Sequence, residues 1–512
     1  MRKWFSILNG TSSLISQFVI IILGFVSRTI FINCLGDEIL GLNGTFTNIL
    51  SILSVTELGI GSSVAYCLYK PVYEDDKEKI AGIMNLFKKA YFVIGIVIFS
   101  LSLAITPFIS LFIKDYTLDL NYIRMIFVLY AFNSTISYFL GSYRTMFFAC
   151  QKNFIVTIVD FVSKTLLQLF QIVILLTTKN YVLYLLLVTV SNTLSNLIIS
   201  RVCFKQFPYL KNNKTKIDDE SKKRIINTIK YLSISSLISV GVFGTDNLII
   251  SSFIGITVSG IYSNYTMIIQ NIQTLFTSLL NGITASLGNM IAEGNKEKIN
   301  KIFNVYDFAY FLLACFTTIS LFILLEPFIG NIWIRKSEYV LPVSTTFVLC
   351  VNNYMTFKRQ PIWQYQNTSG IFKHFLPYSF IELVLNLAVS IVAAIKLGLI
   401  GVFIGTTVAY LVSWFGQTFV VHKHVLEKGV SEYYIKQLKY ALLTMFELGI
   451  IVVIKHCVVI NNEWLNLIFL AFLCLLIPNS INILIYKDTE EFIYLKENLL
   501  DRMVKKIKDK KR

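Results

Sequence analysis

The chain has 512 residues, of which 55% are hydrophobic and only 15% charged. That balance excludes an ordinary soluble domain, which exposes far more charge. Lys and Arg outnumber Asp and Glu by 46 to 30, a net charge of +16, yet no nucleic-acid motif accompanies the excess and its distribution explains it otherwise.

Apolar runs of about 20 residues, the length that crosses a hydrocarbon core, predict helices near 12–33, 42–69, 90–113, 121–143, 154–177, 181–202 and 231–253. Further runs fall near 258–285, 302–326, 341–357, 375–395, 398–421, 438–457 and 464–486. The first follows Arg2 and Lys3, is too long for a signal-peptide core and has no small-residue cleavage site behind it, so it reads as a retained helix. The pattern predicts an all-α polytopic membrane protein with about 14 transmembrane helices. With a cytoplasmic N-terminus, the outer loops hold only Lys114, Lys179, Arg335, Lys336, Lys396 and Lys455 of the 46 cationic residues. Cations thus concentrate inside, as topology requires. The basic stretch 201–230 and the tail ending Lys510-Lys511-Arg512 read as orientation signals that touch anionic lipid. Both termini are expected in the cytoplasm.

The chain aligns with itself at an offset of 219: Gly36 and Gly41 match Gly255 and Gly260, and Lys77-Glu78-Lys79-Ile80 matches Lys296-Glu297-Lys298-Ile299. Six helices per repeat is an even number, so the repeats are parallel, a design that places substrate in a central cavity between halves. The expected division is an N-terminal six-helix lobe, 1–203, a cytoplasmic linker, 204–230, and a C-terminal six-helix lobe, 231–424. Two appended helices, 425–486, and a basic cytoplasmic tail, 487–512, complete it.

The eight cysteines are scattered without a CxxC pair. His422 and His424 read as a solvated pair at a helix end. No phosphate-cradling glycine loop, nucleophile–base set or metal-ligand spacing stands out. The expectation is a protein that is not an enzyme, with no metal and no cofactor.

Polar residues spaced on one helical face must meet protein or water, because lipid cannot satisfy them. Asp160, Lys164, Gln168 and Gln171 form such a stripe. Asp160 and Lys164 also suit an i,i+4 ion pair, so the stripe reads either as a neutral structural pair or as cavity lining. Gln17, Gly24 and Arg28 share a face, with Arg28 either a cavity cation or snorkelling outward. Asn264, Asn271, Thr274, Ser278 and Asn281 line another helix, and Ser379, Glu382, Asn386 and Ser390 a third. Glu57 and Asp246 are deep carboxylates that serve as partners of a buried cation or as coupling sites. Arg124 is one turn into its helix and reads as snorkelling or as a cavity cation. Arg144, Lys358 and Arg359 sit at inner helix ends, where the positive-inside rule alone explains them. The candidate substrate-binding set is Arg28, Lys164, Gln168, Gln171, Asn271 and Arg124. The candidate ion-coupling set is Glu57, Asp160, Asp246 and Glu382. Cations inside such a cavity attract anions, phosphate among them, which points to transport of an anionic or amphipathic substrate.

Ser27-Arg28 through Asn33, Leu35-Gly36, Gly41-Leu42, Glu57-Leu58-Gly59-Ile60-Gly61, Leu68-Tyr69-Lys70-Pro71 and Ala149-Cys150-Gln151-Lys152 occur in order along the first half. Thr245-Asp246-Asn247, Ile254-Gly255 and Leu397 through Thr406 follow. Over roughly residues 10–425 this set resembles bacterial polysaccharide repeat-unit flippases of the multidrug/oligosaccharidyl-lipid/polysaccharide exporter superfamily. The resemblance implies two six-helix lobes around a V-shaped cavity, and export of an undecaprenyl-diphosphate-linked oligosaccharide from the inner to the outer leaflet of the cytoplasmic membrane. Capsule, O-antigen or exopolysaccharide synthesis would be served. It also implies coupling to an H+ or Na+ gradient, Arg28 as the diphosphate-binding cation, and a polysaccharide polymerase and glycosyltransferases as partners, with no nucleic acid. A multidrug/cation antiporter of the same superfamily, a membrane polymerase or glycosyltransferase, and an assembly scaffold are the competing readings.

Overall fold

The computed structural model describes residues 2–54, 60–211, 244–280, 287, 290, 291 and 293–497. Among these residues every regular element is helical, and ten segments are long and apolar enough to span a membrane. The all-α polytopic class read from hydropathy is the observed one. The ten fall short of about 14 for local reasons. The first two predicted segments run on across the break at Gly36 and count as one span, the segment at 231–253 lies largely outside the described residues, and those at 258–285 and 341–357 carry extensive polar faces.

The chain forms two compact units, Met1–Ser263 and Asn264–Arg512. Sequence analysis placed a linker at 204–230, of which 212–230 lie outside the described residues. The boundary between the two units falls within the helix Ile256–Leu280.

The first unit contains α1 (Arg2–Leu53), α2 (Ile60–Glu74), α3 (Lys77–Ile105), α4 (Leu120–Leu140) and the short α5 (Arg144–Ala149). It continues with α6 (Asn153–Thr178), α7 (Tyr181–Gln206), α8 (Thr245–Ile249) and the first turns of α9 (Ile256–Leu280). α1 packs on α6, α6 on α7, and α4 on both α3 and α7. Helix starts are fixed by side-chain caps: Asp76 accepts from the Lys79 amide, Asp119 from Tyr122 and Asn180 from Leu183. α3 buries Ile80, Ile83 and Phe87 and exposes Phe92, Val93 and Val97, the division expected of a helix with lipid on one side.

Two glycine pairs make the repeat visible. Gly36 breaks α1 at φ 81°, and Gly255, its match at offset 219, separates α8 from α9 at φ 151°, both in a region that residues with a Cβ avoid. A Cβ on Gly41 would strike the carbonyl of Ile256, and one on Gly260 the carbonyl of Asp37. Asp37 and Ile256 are themselves 219 apart, so each glycine meets the backbone residue equivalent to its own i−4 neighbour. The caps repeat too: Asn295, at the position matching Asp76, accepts from the Lys298 amide.

The second unit contains the rest of α9, then α10 (Lys296–Pro327), α11 (Val343–Ser369), α12 (Phe372–Leu397), α13 (Leu399–Val421), α14 (Ser431–Cys457), α15 (Glu463–Tyr486) and α16 (Glu490–Leu495). α14 and α15, the pair outside the repeat, pack on α10. Their apolar seam includes Phe311 stacked on Tyr440 at 3.9 Å. A polar knot runs through the same seam. Asp307 accepts from Lys358 Nζ at 2.7 Å, Gln437 Nε2 at 2.8 Å and the Tyr433 hydroxyl at 3.2 Å. Further along, Glu447 accepts from the Cys315 thiol at 2.8 Å and from Asn482 Nδ2 at 3.0 Å.

Lys358 and Arg359 therefore do not lie at an exposed inner helix end, as the positive-inside reading had them. Both are 1% exposed, and each is paired with a carboxylate from another helix, because an ionised group this deep needs a counter-charge.

Candidate substrate site

In the first unit, residues of α1, α3, α4 and α7 line a cavity of about 810 Å³. The α1 arm contributes Asn43, Thr47 and Ser51, which recur at helical spacing and so share a face, and Ser54 follows its end. α4 adds Asn133, Ser134 and Ser137, and α7 adds Asn192 and Asn196. Tyr91, Tyr130, Tyr138 and Tyr184 supply aromatic walls. Amides, hydroxyls and phenols both donate and accept, so this lining suits a ligand dense in hydroxyl groups.

Arg144 also lines the cavity. Its Nη1 and Nη2 donate to Asp160 Oδ2 and Oδ1 at 2.7 and 2.9 Å. Nε donates to Asn196 Oδ1 at 2.7 Å, and Nη2 also reaches Ser195 Oγ at 3.0 Å. Ser195 in turn donates to Asp160 at 2.9 Å. The fork-to-carboxylate geometry is the strong form of this pair. The second unit repeats it: Arg359 Nη2 donates to Glu382 Oε2 at 2.5 Å and to Ser413 Oγ at 3.0 Å. Arg144 lies just past the fourth helix of its repeat and Arg359 within the fourth helix of the second; in both triads the carboxylate sits on the fifth helix and the serine on the sixth.

The two triads differ in access. Arg144 and Asp160 are 32% and 29% exposed, whereas Arg359 and Glu382 are 1% and 5% exposed. Trp363 and Tyr410 close over the Arg359 guanidinium with ring centroids at 4.6 and 4.4 Å, a cation–π enclosure. The first triad is open to a ligand and the second is sealed.

Arg28 lies on α1, half-buried, with Nη2 donating to the Ser263 carbonyl at 3.3 Å. The phenols of Tyr130 and Tyr184 are its electrostatic neighbours. Among the described residues no carboxylate pairs with it. Gln171 is buried, and Tyr130 shares a 2.7 Å bond with Tyr181. The cation is thus joined to the cavity through its tyrosine wall.

The other sequence candidates scatter. Lys164 is exposed on α6, and Asp160 pairs with Arg144 instead of it, which corrects the i,i+4 pairing. Gln168 is half-buried, and its Oε1 has no hydrogen-bond partner among the described residues. Arg124 donates to the Pro107 carbonyl at 3.1 Å and Asn121 at 3.4 Å, away from the cavity lining. Asp246 is half-buried on α8. Asn271 is half-buried on α9, in the second unit. Glu382 is committed to Arg359. Glu57 lies outside the described residues. Sequence reasoning missed Arg144 as a site residue, together with the asparagines around it. The recurrence of an arginine within or just past the fourth helix and a carboxylate on the fifth, in both repeats, was the available signal.

The fold and the polar cavity define a polytopic, all-helical protein. The chain is similar in fold to the inward closed conformation of the lipid II flippase MurJ, with TM-score 0.64, 14% identity, and coverage of 93% of this chain and 98% of that one. It is similar to an inward-facing multidrug resistance MATE family transporter of the MOP superfamily, with TM-score 0.61, 15% identity, and coverage of 80% and 98%. A MOP superfamily transporter from Pyrococcus furiosus matches with TM-score 0.55, 16% identity, and coverage of 84% and 97%. Comparison with curated protein sequences gave no match. The chain belongs to the polysaccharide biosynthesis protein family, whose model matches residues 7–283.

Proposed function

We propose that this protein is a flippase. Its cargo is an oligosaccharide repeat unit linked through a diphosphate to a polyprenyl lipid. The cargo moves from the inner to the outer leaflet of the bacterial cytoplasmic membrane, for capsule, O-antigen or other surface polysaccharide. The observation that carries this reading is the pairing, within one unit, of a large hydroxyl- and amide-lined cavity with Arg28, a cation that no carboxylate neutralises among the described residues. Arg28 takes the diphosphate, for which a guanidinium fork is suited. The cavity takes the glycan, whose dehydration in bare hydrocarbon would be prohibitive, while the lipid tail stays in the bilayer. Family membership and the fold shared with a lipid II flippase support the reading. An H+ or Na+ gradient is proposed to drive the step, and a polymerase and glycosyltransferases to work beside it.

The test is surface polymer in a strain lacking the chromosomal gene, complemented with wild type or Arg28→Ala at equal membrane expression. Wild type restores polymer, and the variant leaves lipid-linked repeat units on the inner leaflet. Normal surface polymer from Arg28→Ala removes Arg28 from the mechanism. Restoration of drug resistance in place of polymer favours the multidrug antiporter.

A further inference from the structure

The lining of the first-unit cavity restricts which sugars it can hold. Apart from phenols, Arg144 is the single ionisable side chain among the described residues that line it, and four of its five N–H groups are already bonded. Nε is bound by Asn196, Nη1 by Asp160, and Nη2 by Asp160 and Ser195. With Asp160 held between them, Arg144 and Asp160 sum to zero charge. Every other polar group lining the space is an amide, a hydroxyl or a phenol.

A sugar hydroxyl or N-acetyl group entering this space finds both donors and acceptors. A uronic acid does not find what it needs. Its carboxylate would give up water with no free cation among the described lining residues to receive it, a costly exchange. To bind Arg144 it would have to displace Asp160 from a two-bond grip and leave that carboxylate unpaired.

We infer that the first-unit cavity accepts uncharged sugars and excludes acidic ones, with Asp160 the specificity-determining residue that keeps Arg144 from binding a sugar carboxylate. Charge recognition is thereby separated from sugar recognition. Arg28 lies outside the cavity lining and is left for the diphosphate, which every such substrate shares. The inference rests on the flippase reading and adds the class of sugar to it.

The experiment uses full-length protein in proteoliposomes and two synthetic substrates with the same polyprenyl diphosphate and the same number of sugars. One carries a neutral hexose where the other carries its uronic acid. Translocation is read by accessibility to a membrane-impermeant oxidant of sugar diols. The neutral substrate is expected to cross at least about tenfold faster, the scale on which a site rejects a ligand that leaves buried polar groups mispaired. Equal rates, or a faster acidic substrate, overturn the inference and leave the flippase reading standing. Movement of neither substrate overturns the flippase reading, and the inference falls with it.

Asp160→Asn, checked for monodisperse elution, is expected to raise the acidic-to-neutral rate ratio several-fold by releasing Arg144. A folded Asp160→Asn with an unchanged ratio removes Asp160 as the selecting residue. Should that variant aggregate, Ser195→Ala frees one Nη2 bond, and a smaller rise is expected. No rise in Ser195→Ala then counts against the assignment in the same way.

Discussion

The guanidinium of Arg144 grips the carboxylate of Asp160 through two parallel bonds, and Arg359 reaches Glu382 in a similar arrangement in the second unit. The pairs share a design but not an environment, so the same substitution should weigh differently in each. Lysine keeps the charge but loses the planar fork. Arg144→Lys, half-exposed, should lower stability by about 1–3 kcal/mol, the scale of charged hydrogen bonds. Arg359→Lys, sealed under Trp363 and Tyr410, should cost about 3–5 kcal/mol. Thermal unfolding of the detergent-purified protein ranks the two. A larger loss for Arg144→Lys would contradict the assignment of the open and closed triads.

Gly41 and Gly260 test the backbone contact between repeat-equivalent segments. An alanine at either position meets a main-chain carbonyl, which has no rotamer with which to yield. Each variant should be destabilised by about 1–3 kcal/mol, as overpacked cores are. Gly44→Ala is the control. A Cβ there meets nothing within 4 Å, so removing glycine from a helix should be neutral or stabilise by about 0.5–1 kcal/mol. Melting midpoints of the three variants decide the matter.

Asp307 and Glu447 are both buried carboxyls on the seam that holds α14 and α15, and their amide variants should behave oppositely. Asp307→Asn strands the ammonium of Lys358, 2% exposed, and should cost about 3–5 kcal/mol. The double variant with Lys358→Met should recover much of that loss.

Glu447, by contrast, is held by a thiol and an amide, and no cation pairs with it among the described residues. Glu447→Gln keeps the volume and an acceptor for Asn482. Its stability should lie within about 1 kcal/mol of wild type, or above it. A collapse comparable to that of Asp307→Asn would show that Glu447 carries a counter-charge role.

Glu491, on α16 beyond the last span, gives an acid-side signature. Burial would raise its pKa, but the hydrogen bond and charge of Lys436, 2.9 Å away, outweigh that and hold it below the ordinary glutamate value. A depressed native pKa contributes stability above the unfolded pKa, and that contribution is lost as pH falls through the native one. The gap in melting midpoint between wild type and Glu491→Gln should therefore be constant near neutrality and close in acid below the ordinary glutamate range. A gap that widens in acid would reverse the assignment.

Hydropathy alone made the membrane class legible, because only a helix satisfies its own backbone in lipid. The repeat was legible as well: Gly36 and Gly255 share positive φ, and Asp76 and Asn295 cap matching helices. Partnership was not. Asp160 has Lys164 one turn away on its own helix, yet it pairs with Arg144 on another element, because spatial neighbours on separate helices leave no local spacing to read. Arg144, Lys358 and Arg359 were hidden by a rule that explains helix-end cations without reference to burial. The cavity was half-visible. Asn43, Thr47 and Ser51 keep helical register, but an asparagine-and-serine stripe reads equally as interhelical packing until its opposite wall is known.

The contrast between an enclosed Arg359 and an accessible Arg144 bears on how a doubled scaffold acquires a task. When an ion pair occurs twice, one copy can keep fastening its helices while the other is released to meet cargo, so new selectivity arises without risk to assembly. On the proposed flippase reading, substitutions that retune the cargo should accordingly accumulate around the earlier copy and spare the later one.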